Sequence, residues 1–193
     1  MGRANAALLA LVIACALGVI TSQHQARKLF IDLADPEKRT HGDILDALKL
    51  LTRFQDQVDV ILGLNLKESM EVADVLGLPG KSDPEAAIED NARAIRENLN
   101  VSCVVIHPRR SAAAATEDAS ARFPGPFVTQ PKISTGAGDH FNAGFCLGHL
   151  LGFNLEESLC TGVGTSGYYV RTAESPTAGQ LAEFISKLPP PQS

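Results

Sequence analysis

The residues best suited to chemistry form a run of small residues, Thr135-Gly136-Ala137-Gly138-Asp139, directly before a segment with a helical pattern. Glycines let the backbone turn sharply and expose successive N–H groups, and a helix start adds partial positive charge, so this loop is suited to binding an anion. A transferring phosphoryl group is such an anion, and Asp139 could take the proton from an attacking hydroxyl. The alternative interpretation is a glycine-rich turn with a capping aspartate.

The longer string TGAGDHFNAGF, which starts at Thr135, resembles the signature loop of the ribokinase-like (PfkB) carbohydrate kinases. The resemblance implies that Asp139 is the catalytic base. It implies that the backbone amides of Gly136, Ala137 and Gly138 form an anion hole, and that Thr135 binds the nucleotide. ATP and Mg²⁺ would be the cofactors, and the phosphoryl acceptor would be an alcohol group of a sugar or nucleoside-like substrate.

A second motif, Asn65-Leu66-Lys67-Glu68, follows an apolar run where the resemblance expects an Asn-x-x-Glu pair. Residues three apart at a helix start lie on the same face, and a carboxylate suits Mg²⁺, which keeps most of its waters. The resemblance therefore implies that Asn65 and Glu68 bind Mg²⁺ through water and help to place the phosphates. The alternative is an ordinary capping arrangement, in which the asparagine caps a helix and the glutamate reaches back.

Two other patterns resemble functional motifs but do not predict a separate catalytic or cofactor site. The segment 162–167 satisfies G-x-G-x-x-G but follows a helical segment instead of a strand, so a dinucleotide site is not predicted. The resemblance instead implies that Gly162 lies in a helix behind the anion loop, where small residues line the nucleotide base. His107, His140 and His149 are scattered, and no nucleophile pairs with them as a catalytic triad would require. We expect His140 to be a histidine on a helix surface.

The elements that must position these residues alternate along the chain. Apolar runs predict strands at 28–33, 58–64 and 101–106, with two edge strands at 111–115 and 127–129. Helical periodicity predicts helices at 42–54, 67–76, 139–151, 155–170 and 177–188, and one from a start at 81–85 to residue 98. This alternation predicts an α/β fold, a three-layer α/β/α Rossmann-like sandwich with a mostly parallel sheet, whose sites lie at the carboxyl ends of the strands.

The resemblance covers residues 28–188, which correspond to the later part of a ribokinase-like kinase. The N-terminal part, the β-sheet lid and most of the sugar-binding residues of that family have no counterpart here. A second hypothesis is therefore a truncated, catalytically impaired paralogue that binds nucleotide or a partner chain. A homodimer or a partner chain would then cover an exposed sheet edge. A third hypothesis is that the biological start lies upstream of Met1.

Composition limits the remaining function classes. The chain has 193 residues, 45% of them hydrophobic, and a net charge of −5 without a basic run, which argues against a nucleic-acid surface.

We expect one kinase domain over residues 25–188, a tail at 189–193 and an apolar segment of uncertain role at 1–24. The four cysteines form no C-x-x-C pattern, which fits a reducing, cytoplasmic compartment. The apolar run 6–20 leaves export or membrane anchoring as the alternative.

Overall fold

The computed structural model describes residues 40–192, so the apolar segment 1–24 and the strand predicted at 28–33 lie outside the described residues. The chain divides into two compact units, residues 1–49 and 50–193. Of the first unit the structure describes residues 40–49, which include the start of helix α1 (His41–Gln55). Thr40 caps this helix, because its N–H donates to Asp43 Oδ2 at 2.9 Å and the Asp43 N–H donates back to Thr40 Oγ1 at 3.3 Å.

A four-stranded sheet in the order β1-β2-β3-β4 forms the centre of the second unit. The strands are β1 (Ile61–Leu64), β2 (Cys103–Ile106), β3 (Ser111–Ala115) and β4 (Ser120–Pro124). Strands β1 and β2 pair in parallel, with Leu64 opposite Ile106, whereas β2 with β3 and β3 with β4 pair antiparallel. The parallel pair brings the carboxyl ends of β1 and β2 to the same edge of the sheet. The residues that directly follow these two strands are therefore neighbours.

Five helices accompany the sheet: α2 (Leu66–Val75), α3 (Ile88–Leu99), α4 (Ala137–Leu150), α5 (Leu155–Thr172) and α6 (Ala178–Ser186). Helices α2, α5 and α6 each begin with a capping box, in which the cap side chain accepts from the N3 backbone and the N3 side chain accepts from the cap backbone. Helix α4 begins differently, at a glycine without a side-chain cap.

Helices cover both faces of the sheet. One face carries a core made by the strands with α4 and α5, formed by Cys103, Val105, Ala112, Ala114, Phe141, Phe145, Leu159 and Val163. Helix α3 packs against β2 and β3 with its own buried residues, Ile88, Ala92, Ile95 and Leu99. Since side chains alternate between the faces of a strand, the buried residues Val104 and Ile106 belong to this second face. The predicted three-layer α/β/α arrangement is confirmed, and the described part of its sheet has one parallel and two antiparallel pairings.

The sheet differs from the prediction after β2. Residues 111–115 form β3 as expected, but this strand lies between β2 and β4 and is buried at all five positions, so it is not an edge strand. The strand predicted at 127–129 is wrong: the structure has no strand there, and β4 occupies 120–124 instead. Pro126 has no N–H to donate to a ladder, and Phe127 N–H bonds to Gly125 O at 2.9 Å in a tight turn, so pairing ends at Pro124.

The helix predictions agree with the structure within two residues at each end, except at the start of α3. Asp83 Oδ1 accepts from Ala86 N–H at 3.0 Å and so caps a separate turn, after which α3 begins at Ile88. Among residues 40–192, no helix combines the length and the apolar content that crossing a bilayer requires.

Candidate active site

The carboxyl ends of β1 and β2 bring the two sequence motifs to the same region. Asn65 follows β1, and His107 follows β2; the His107 N–H donates to the Leu64 carbonyl at 2.9 Å, which joins the two strand ends. The start of α4 lies against this edge, because a Cβ built on Gly138 would lie 3.2 Å from His107 Cε1. The structure thus places the predicted anion loop beside the strand ends that lead to the Asn65–Glu68 motif.

The loop before α4 leaves backbone donors unused. Gly136 occupies the cap position with φ = 86°, a left-handed conformation that favours glycine, and no side chain caps the helix. Ala137 N–H donates to Ser134 O at 3.2 Å. The N–H groups of Gly136, Gly138 and Asp139 have no acceptor among residues 40–192. Of the predicted anion hole, the Gly136 and Gly138 amides are therefore open and the Ala137 amide is engaged, and the Asp139 amide is a further open donor.

Asp139 lies in the first turn of α4 and is exposed. Its carboxylate has no hydrogen bond or ion pair with another residue in the described range 40–192. A carboxylate in this position is favoured by the partial positive charge of the helix start and is accessible to an incoming hydroxyl group.

His107 links the two motifs and was not assigned a role from the sequence. Its ring stacks on Phe141 with centroids 4.7 Å apart. Burial lowers the pKa of the His107 imidazole, and the negative charges of Glu68 and Asp139 oppose that shift. Both carboxylates therefore lie close enough to His107 to act on its charge, Glu68 from α2 and Asp139 from α4. Its position directly after a buried strand was the available signal, since sites of α/β folds collect at strand carboxyl ends.

The Asn65–Glu68 pair forms a capping box. Asn65 Oδ1 accepts from Glu68 N–H at 2.9 Å, and Glu68 Oε2 accepts from Asn65 N–H at 2.9 Å. The capping alternative therefore describes this geometry. The second carboxylate oxygen of Glu68, Oε1, has no hydrogen bond within residues 40–192, and the side chain is half-buried. The pair fits a hydrated Mg²⁺ in addition to its cap, because one carboxylate oxygen stays available to coordinated water.

A direct, all-protein metal cage is absent from the described residues, since no group of three or more His, Cys, Asp or Glu side chains among them could hold a metal ion. Mg²⁺ does not require such a cage, because it dehydrates reluctantly and is usually held by one or two carboxylates together with substrate phosphates.

Two predicted nucleotide-binding residues have different surroundings. Thr135 is exposed beside the open amides, and its carbonyl accepts a hydrogen bond from Tyr169. Gly162 is buried within α5, and a Cβ at this position would lie 2.8 Å from Phe141 Cε2. Gly162 therefore allows α4 and α5 to approach closely. Glycines at 144 and 148 of α4 do the same, because a Cβ on either would lie within 2.5 Å of an α5 threonine hydroxyl.

Comparisons with solved structures match the fold to ribokinase-like kinases. Ribokinase of Thermotoga maritima aligns with a TM-score of 0.55 and 24% identity over 69% of this chain and 43% of that protein. The nucleoside kinase of Methanocaldococcus jannaschii aligns with a TM-score of 0.56 and 19% identity over 78% and 45% of the two chains. Phosphofructokinase-2 of Escherichia coli aligns with a TM-score of 0.57 and 16% identity over 73% and 45%.

Sequence comparisons lead to a narrower family. A curated ketohexokinase of Haloferax volcanii is 30% identical over 158 residues, which are 82% of this chain and 41% of that protein. The chain thus spans about two fifths of the length of this curated relative. Residues 22–188 match the family described as prokaryotic ketohexokinase. The chain therefore belongs to the prokaryotic ketohexokinase family, and its fold matches that of ribokinase-like kinases.

Proposed function

We propose that this chain carries the phosphoryl-transfer centre of an ATP-dependent carbohydrate kinase. The supporting observation is the start of α4, where the open amides of Gly136, Gly138 and Asp139 lie beside the exposed Asp139 carboxylate. Donors aimed at developing negative charge, next to a group that can accept a proton, are what phosphoryl transfer to an alcohol requires.

In this proposal each group has a defined role. Asp139 accepts the proton of the acceptor hydroxyl as the new bond between that oxygen and the γ-phosphorus forms. The bond between the γ-phosphorus and the bridging oxygen breaks, and ADP leaves with the electron pair. The amides of Gly136 and Gly138 donate hydrogen bonds to the oxygens of the transferring group.

The Asn65–Glu68 pair serves the other end of the site. Glu68 Oε1 and the Asn65 side chain would hold Mg²⁺ through its waters, and the bound ion would neutralise phosphate charge. Thr135, exposed beside the open amides, would contact the nucleotide phosphates. In this proposal Gly162 acts behind the loop, by keeping α5 close to Phe141.

The acceptor we propose is a sugar alcohol group, and a ketohexose is the first choice because the curated relative is a ketohexokinase. A nucleoside-like acceptor is the second choice, since one aligned structure is a nucleoside kinase. A panel of ketohexoses, aldohexoses, pentoses and nucleosides, each assayed with ATP and Mg²⁺, ranks these acceptors by kcat/KM.

Replacing Asp139 by Asn tests the centre. Asp139→Asn keeps the size of the side chain and removes its ability to accept a proton, so we expect transfer to fall by about 10²- to 10⁴-fold with an unchanged melting temperature. Asp118→Asn is the matched control, because Asp118 is also exposed but lies in the turn between β3 and β4. Equal turnover in Asp139→Asn and Asp118→Asn would remove Asp139 from the mechanism.

The second candidate function is a binding protein without transfer activity, in which a partner covers one edge of the sheet. Among residues 40–192, β1 pairs with β2 and with no strand on its other side, and in this candidate function a partner chain or a second copy pairs with that edge. Light scattering on the purified chain, together with nucleotide titration and the acceptor panel, distinguishes the two. Nucleotide binding and self-association without any phosphorylated product would favour the binding protein.

A further inference from the structure

Two aromatic side chains, His140 of α4 and Tyr169 of α5, lie together against the loop that precedes α4. Their rings stack with centroids 3.6 Å apart and an angle of 11° between the planes. A Cβ built on Gly136 would lie 3.3 Å from the Tyr169 hydroxyl, so the tyrosine packs directly on the glycine that turns the chain. His140, expected from the sequence to be an ordinary surface histidine, instead forms part of the wall of this loop.

The stacked pair binds two consecutive carbonyl groups. The Tyr169 hydroxyl donates to the Thr135 carbonyl at 3.1 Å. His140 Nδ1 lies 2.8 Å from the Gly136 carbonyl and, because a carbonyl oxygen can only accept, it must carry the proton. On its other side His140 Nε2 lies 2.9 Å from Ser175 Oγ, which fixes the plane of the ring.

Holding these carbonyls also sets the direction of the amides. In a trans peptide the C=O of one residue and the N–H of the next point to opposite sides. Because the Thr135 carbonyl points to Tyr169, the Gly136 N–H points away from it, and this is one of the amides without an acceptor among residues 40–192. The hydrogen bond from Tyr169 therefore keeps that donor available on the side opposite the stacked rings, and the His140 ring stacks on the tyrosine that makes this bond.

We propose that Tyr169 and His140 are positioning residues, which hold the backbone at 135–136 so that the Gly136 amide faces the transferring phosphoryl group. This inference rests on the proposed function. Neither side chain needs to touch the reacting atoms, since preorganised donors act through their direction and a small displacement of them is costly.

A pair of tyrosines on one helix provides the test. Tyr169→Phe keeps the ring and its stacking but loses the hydrogen bond to Thr135, whereas Tyr168→Phe removes the neighbouring hydroxyl from a ring that packs edge-on against Phe184. We expect kcat to fall by about 10- to 100-fold in Tyr169→Phe, with the KM for the acceptor unchanged, and to stay unchanged in Tyr168→Phe. His140→Phe should cause a similar loss, and the double variant should be no worse than either single variant, because both act on one loop.

A measurement without turnover separates this inference from the proposed function. In the ¹⁵N-labelled chain, inorganic phosphate should shift the Gly136 and Gly138 amide resonances, and Tyr169→Phe should weaken that binding by about tenfold while Tyr168→Phe does not. If the wild type transfers no phosphoryl group but this difference in phosphate binding is seen, the proposed function fails and the positioning role stands. If Tyr169→Phe matches Tyr168→Phe in both kcat and phosphate binding, or if phosphate moves neither glycine amide, the positioning role is overturned.

Discussion

Helices α2 and α4 begin at the same edge of the sheet, yet their first turns are completed in opposite ways. In α2 the Asn65 and Glu68 side chains bond to each other's backbone N–H groups. In α4 Gly136 has no side chain, and the N–H groups of Gly138 and Asp139 have no acceptor among residues 40–192. A capped start contributes to the stability of its own helix, whereas an open start leaves donors for a ligand. Both starts carry an acidic side chain, but the Glu68 N–H of α2 is taken by its cap, whereas the Gly138 and Asp139 N–H groups of α4 stay open to an anion.

Among the changes that compare the two helix starts, the largest effect is expected at the glycine that opens α4. Gly136→Ala forces an L side chain into φ = 86° and places its Cβ 3.3 Å from the Tyr169 hydroxyl. We expect the free energy of unfolding to fall by about 1–2 kcal/mol, and phosphoryl transfer to fall by about 10²-fold because the open amides are displaced.

Gly152 provides a control for backbone strain. Its φ is 77°, and a Cβ there would meet nothing within 4 Å, so Gly152→Ala carries the same conformational cost away from the loop. Chemical denaturation should show similar destabilisation of the two variants, and kinase assays should separate them. A Gly152→Ala protein as inactive as Gly136→Ala would mean that activity follows stability alone.

Replacing Glu68 tests whether the start of α2 does more than cap its helix. Glu68→Gln keeps an oxygen that can accept from the Asn65 N–H but removes the charge that would bind hydrated Mg²⁺. We expect the Mg²⁺ concentration for half-maximal activity to rise by about tenfold. Glu157→Gln makes the same change in the equivalent capping box of α5 and should leave the Mg²⁺ dependence unchanged. Identical Mg²⁺ curves for these two variants would reduce Glu68 to a capping residue.

A smaller effect is expected from removing the two asparagine caps. Asn65→Ala and Asn154→Ala each lose one side-chain acceptor at a helix start, so each should lower the free energy of unfolding by about 1 kcal/mol. Thermal or urea unfolding measures this loss. We expect only Asn65→Ala to change kinase activity as well, and equal activities would place Asn65 with Asn154 as a purely structural cap.

Local patterns predicted most of the elements that position the site. The change from small residues to helical spacing after Gly138 located the start of α4, and the buried run before His107 located β2. Strand β4 was missed because Ser120–Pro124 contains an arginine, a proline and no β-branched residue, so its pairing with β3 depends on tertiary contacts. The position of β3 inside the sheet also depends on tertiary contacts. Its alanines are buried because helices approach both faces of the sheet, and no local sequence pattern predicts this.

The site was predicted less completely than the fold, because its geometry depends on backbone conformation and on contacts between distant residues. The string around Asp139 indicated a loop able to bind an anion, but which amides stay open depends on the left-handed Gly136 and on the Ala137 bond to Ser134. The roles of His107 and Tyr169 depend on residues about thirty positions away along the chain, Asp139 and Thr135. Contacts of that kind depend on how strands and helices pack together, so they cannot be predicted from residues that are neighbours in the sequence.

The smallest expected effect is the pH dependence due to His107, the residue between the two helix starts. Burial places its folded-state pKa below the ordinary value of 6.5, so above that pH the imidazole is neutral in both the folded and the unfolded chain. As the pH falls through 6.5 towards the folded-state pKa, the unfolded chain binds the proton first, and the free energy of unfolding decreases. His107→Gln removes this titration, so urea unfolding of the variant should lose less stability than the wild type between neutral pH and pH values below 6.5. His149→Gln, at the exposed end of α4, is the control for exchanging a histidine for glutamine, and the wild-type slope is the reference. If His107→Gln also keeps that slope, the imidazole is not the group that makes the region between Glu68 and Asp139 sensitive to acid.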